Sequence, residues 1–111
     1  MAPDDRRRAC EVQAKSHLLH LREGFLECGG RPEEVAHLIT RSAAPLAALM
    51  RHVTRLGGMD AHSEAFRPIL ALEASGALAA ADALALYPKY LRSVEQFAQA
   101  LDRWGQTREG S

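Results

Sequence analysis

The stretch HLLHLREGFLECGG, residues 17–30, gathers side chains that can do chemistry. His17 and His20 stand three apart, and Glu23, Glu27 and Cys28 follow. Imidazole, carboxylate and thiol at helical spacing are the raw material of a metal centre or an acid–base pair. A metal centre, however, needs three or four convergent ligands with a supporting shell. At about 100° per residue, Leu18, Leu21 and Phe25 point one way along a helix. His17 falls at the margin of that face, and His20, flanked by Glu23 and Glu27, falls on the far side. The pattern predicts solvated histidines on a bundle helix that runs to its stop at Gly29-Gly30, and no metal. Glu34-Val35-Ala36-His37 has the Glu-x-x-His spacing of di-iron bundles. Those sites need two such motifs and two further glutamates, all facing inward. Here the motif occurs once and lies opposite the apolar seam, so no metal or other cofactor is expected. There is no Gly-x-Ser-x-Gly elbow, no Walker loop and no His-Glu-x-x-His motif.

Two surface patterns carry more information. On the outer arc of the second helix lie His37, Arg41, Arg51, His52 and Arg55, and after Glu34 that helix carries no acid. Such a basic face would meet an acidic partner, a nucleotide phosphate or RNA, unless its arginines pair with acids on neighbouring helices. Val12, Leu19 and Leu26 recur every seven residues on the first helix, outside its main seam; Tyr90, Phe97 and Trp104 do the same on the fourth. A second apolar stripe on a small bundle helix suggests an interface with another domain or a second copy, the alternative being a broad buried face.

The elements that must position these residues follow from composition and stop signals. The chain has 111 residues, 47% hydrophobic and 25% charged, rich in alanine and leucine and poor in β-branched residues. That balance suits one folded helical domain. Lysine plus arginine equal aspartate plus glutamate, 14 against 14, which removes the usual overall signature of a nucleic-acid or membrane-surface binder. No apolar run approaches a membrane span, and MAPDDRRRACEV has no signal-peptide core, so a cytoplasmic protein is expected. Glycine stops divide the sequence into helices of about 5–28, 32–56, 61–74 and 78–104. Residues 1–104 form the expected bundle domain and 105–111 a polar tail. Seams at alternating spacings of three and four run through Ala14, Leu18, Leu21, Phe25 and Cys28; through Ile39, Ser42, Leu46, Leu49, Val53 and Leu56; and through Leu84, Tyr87, Leu91, Val94, Ala98 and Leu101. The expected fold is all-α: an antiparallel up-and-down bundle of four main helices, the third shortest. Pro45, Pro68 and Pro88 predict kinks or short breaks near Ser42, Arg67 and Tyr87, with Ser42 available to cap a restarted helix. Cys10 and Cys28, about 27 Å apart on one helix, cannot bridge each other.

KSHLLHLREGFLECGGRPEEVAHLITRSAAPLAALMRHVTRLGG, followed by FRPILAL and YPKYLRSVEQFAQALD, resembles the helical C-terminal part of bacterial nucleotidyltransferase-like proteins, over about residues 8–102. The resemblance implies a four-helix substrate-binding-type bundle that accompanies a nucleotidyltransferase domain or subunit. That family's catalytic signature is a Gly-Ser turn and an Asp-x-Asp pair for magnesium. Asp4, Asp5, Asp60, Asp82 and Asp102 supply neither feature. The chain is therefore expected to be a non-catalytic accessory bundle, partnered by a nucleotidyltransferase domain or by itself as a homodimer. The related HEPN bundles include ribonucleases with an arginine, a short spacer and a histidine. Arg31 and His37 in RPEEVAH fit that spacing, and an HEPN-like ribonuclease or toxin-type bundle is the alternative.

Overall fold

The computed structural model describes residues 3–57 and 64–109, with side chains over 7–57, 64 and 66–104. Four helices account for most of it: α1 Pro3–Cys28, α2 Pro32–Arg55, α3 Arg67–Ser75 and α4 Ala80–Glu109, with a 3-10 turn at Glu64–Phe66 leading into α3. The fold is the expected all-α bundle with α3 shortest. The α1–α2 turn needs two consecutive left-handed residues, Gly29 at φ 57° and Gly30 at φ 80°. Only glycine takes up that pair without strain. Pro32 then opens α2, where its missing N–H costs nothing, and Glu33 and Glu34 sit at the positive end of the helix.

α1, α2 and α4 pack against one another, and α3 covers α2 and α4. Cross-helix contacts fix the direction of α4. Phe25 stacks on Tyr87 with ring centroids 3.9 Å apart, whereas Arg22 reaches Glu95 at 2.7 Å. Moving back along α1 thus moves forward along α4, so the two are antiparallel. The Tyr87 hydroxyl donates to the Leu21 carbonyl at 3.2 Å and pins the same register. Leu21, Ile39, Leu46, Met50, Tyr90 and Phe97 are wholly enclosed, and the Phe66 ring meets the Phe97 ring edge-on at 6.0 Å.

Several expectations need correction. The chain stays helical through Pro45 and Pro88, so neither α2 nor α4 divides. Each proline removes a single backbone bond, and burial of the flanking seam outweighs that loss. Pro68 lies in the first turn of α3, which starts at Arg67 directly after the 3-10 turn, so the helical geometry changes at the position expected. Ser42 does not cap a new helix; its hydroxyl donates to the Ile39 carbonyl at 2.8 Å and meets the Tyr90 hydroxyl at 2.6 Å. α4 continues over residues 105–109, because one glycine weakens a helix without stopping it. The expected start of the third helix at Ala61 lies outside the described residues, as does Gly58 of the Gly57-Gly58 stop. Leu84, assigned to the α4 seam, is 41% exposed. The Phe25–Tyr87 register puts it level with Cys28, where α1 ends and covers nothing further. Both cysteines are free and buried.

Candidate functional site

α1 and α2 are joined by a short turn and leave between them an open groove of about 830 Å³. Gly24 lets the two helices approach, since a Cβ there would stand 2.7 Å from Leu38 Cδ1. Along the groove, α1 contributes His17, His20, Glu23 and Glu27, while α2 contributes Glu33, Glu34, His37 and Arg41. The helices are antiparallel, so Glu27, Glu33 and Glu34 gather at the turn end. His20 and Arg41 lie further in, with His17 and Pro45 beyond them along the two helices. Along α1 the bases precede the acids and along α2 the acids precede the bases, so the antiparallel pair gives the groove an acidic end and a basic end. Glu34 is offset by Arg31, whose Nε donates to its carboxylate, while an Arg31 terminal nitrogen donates to the Glu27 carbonyl at 3.2 Å. Among the described residues, Glu23, Glu27, Glu33, His37 and Arg41 have no such side-chain partner. His17 is half-buried; burial pushes its imidazole pKa below the ordinary value, and the nearby His20 adds to the shift.

His20, Glu23 and Glu27 are exposed, as their angular positions predict. Among the described residues no group of three or more histidines, cysteines, aspartates or glutamates is placed to hold a metal ion. The pair proposed for ribonuclease chemistry lines two neighbouring depressions that share Glu33 and Glu34. His37 faces the groove, whereas Arg31 belongs to the depression at the starts of α2 and α4, with Pro32, Glu33, Glu34, Ala80 and Ala81.

Comparison of the chain with protein-family models, with curated proteins and with solved structures finds no match.

The structure divides the basic face. His37 and Arg41 turn into the groove; Arg51 is held by Glu73 of α3 at 2.7 Å; His52 is half-buried; Arg55 is exposed. The two apolar stripes also part company. Val12, Leu19 and Leu26 are 62%, 54% and 79% exposed. Tyr90 and Phe97 are at 0%, and Trp104 packs against the core. The α4 stripe is therefore core and not an outward interface. α4 is wrapped by α1, α2, α3 and the 3-10 turn, so its buried arc extends well past a single seam. The α1 stripe lies on the side turned away from both of its neighbours.

The groove itself was not legible in the sequence. Each helix shows its own polar edge, but nothing within a single helix says that the edges of α1 and α2 converge. The available signal was Gly24, a glycine inside a helix with no stop function.

No helix among the described residues is long and apolar enough to cross a membrane.

Proposed function

We propose that this chain is a non-catalytic accessory bundle that docks on a protein partner through the outer face of α1. The partner implied by the sequence resemblance is a nucleotidyltransferase domain. The observation that carries the reading is the exposed line of Val12, Leu19 and Leu26, three large apolar side chains on one helix side with no covering element among the described residues. Each gains about 1.5–3 kcal/mol on full burial. Association costs about 4–15 kcal/mol in lost freedom. A second copy offers only the same three residues, so self-association through the stripe alone is weak. A partner that adds contacts of its own, or is held at high effective concentration, makes the interface stable.

The lack of an Asp-x-Asp pair supports the non-catalytic part of the reading, because nucleotidyl transfer needs metal-neutralised charge. The purified chain is expected to incorporate no labelled nucleotide with magnesium. The docking reading is tested by sedimentation of the wild type and of a Leu19→Glu, Leu26→Glu double variant, each alone and with any nucleotidyltransferase that proves to be encoded beside it. Complex formation by the wild type, lost in a variant that keeps its helical circular dichroism, is expected. A folded wild type that stays monomeric at high concentration and binds no such protein overturns the reading.

A further inference from the structure

The geometry points to a second site on this molecule: the α1–α2 groove binds a small dipolar ligand, of which an unblocked tripeptide is the simplest form. The site is separate from the α1 stripe and does not depend on the docking reading. Its volume, about 830 Å³, falls within the roughly 300–1,000 Å³ of small-molecule sites. Its charge is divided along its length. Glu27 and Glu33, near the turn, carry carboxylates that no cation among the described residues offsets; Arg41 and His20 line the groove deeper in. A permanent guanidinium suits a carboxylate, and the imidazole adds a hydrogen-bond donor or acceptor.

The separation of the two ends selects the ligand. From His20 to Glu27 the helix rises about 10 Å, and from Glu33 to Arg41 about 12 Å. An extended peptide spans about 3.3–3.6 Å per residue, so three residues place an ammonium and a carboxylate about 10 Å apart. A free anion such as phosphate would satisfy Arg41 but leave Glu27 and Glu33 without a counter-charge, and a simple cation would leave Arg41 unused. A ligand with both charges meets both ends. Gly24 and Leu38 lie between them as an apolar floor on which short side chains can rest. The groups at both ends are exposed, so each pairing is weak, and affinity is expected near millimolar.

The test is a titration of the full chain with trialanine, N-acetyl-trialanine and trialanine amide, followed by amide proton–nitrogen chemical shifts. Trialanine is expected to move the Gly24 and Leu38 signals saturably, and each blocked form to bind about twofold to fivefold more weakly. Arg41→Gln should weaken trialanine to the same degree yet leave the amide form unchanged. Glu27→Gln with Glu33→Gln should weaken trialanine and spare the acetylated form. All three replaced side chains are exposed, so the fold is retained, which circular dichroism verifies. No saturable shift at Gly24 and Leu38, or equal binding of all three peptides, overturns the assignment. So does an amide form that binds as well as trialanine, since the groove would then be a cation site alone.

Discussion

Tyr90 and Ser42 show how the interior depends on a single oriented proton. Ser42 gives its own proton to the Ile39 carbonyl, so the Tyr90 hydroxyl must donate to Ser42 Oγ across 2.6 Å. Removing either partner therefore has unequal consequences. Tyr90→Phe deletes the donor and leaves Ser42 bonded, at a cost of about 1 kcal/mol. Ser42→Ala strands a buried hydroxyl and should cost more, about 1–3 kcal/mol. Urea unfolding of the two variants checks the order; a larger loss for Tyr90→Phe would reverse the assigned direction of the bond. The same burial governs behaviour in alkali. Burial pushes the Tyr90 phenol up to about 12. The ordinary phenol value is about 10. The unfolded chain therefore loses this proton first as pH rises, and the folded state loses stability between about pH 10 and 12. Burial also raises the Tyr87 pKa and adds to the effect. Phenolate absorbance should accordingly appear late and together with unfolding. Independent titration of both tyrosines near pH 10 in a folded protein would contradict this account.

Helices α1 and α4 carry the same seven-residue apolar repeat and meet opposite fates, which marks what one element's sequence can reveal. Periodicity places Leu19 and Phe97 equally well outside a main seam. It does not state how many neighbours each helix will have. α4 is enclosed by every other element and buries its extra stripe; α1 has α2 and α4 as neighbours and leaves its stripe open. Most seam positions and the stops at Gly29-Gly30 and Gly76, in contrast, were legible, since glycine and spacing act locally. Gly76 ends α3 at φ 71°, and its amide bonds the Leu72 carbonyl at 2.8 Å. Gly76→Ala should cost about 1–2 kcal/mol from the left-handed backbone alone, seen as a lower urea midpoint with unchanged slope. Gly24 behaves differently, because its φ is not left-handed. Gly24→Ala gains up to about 1 kcal/mol of helix propensity, while the flexible end of Leu38 must move aside. The net change should stay within about 1 kcal/mol, whereas Gly24→Leu should drive α1 from α2 and destabilise markedly.

At the scale of the molecule, the enclosed core and the exposed α1 stripe are different residues. Phe97→Ala should cost about 3–5 kcal/mol, a large part of the roughly 5–15 kcal/mol that holds a domain together. Leu19→Glu touches no core and should leave the thermal midpoint nearly unchanged. A similar loss of stability in both variants would mean that the α1 stripe supports the fold. Overall form was readable from the sequence because seams, turns and propensity agreed; the groove was not, because it belongs to two helices at once. One dimension of that form has a dynamic counterpart. The molecule measures 47 × 25 × 21 Å, and a 30-residue α4, about 45 Å long, runs nearly its full length. Such a body tumbles as a short rod. Helical N–H vectors lie near the rod axis, so their nitrogen-15 relaxation should share one slow rate, while vectors at the Gly29–Gly30 and Gly76 turns relax as though the molecule were smaller. Lateral docking along α1 would broaden the rod and draw the two sets together, whereas contact at its ends would drive them further apart.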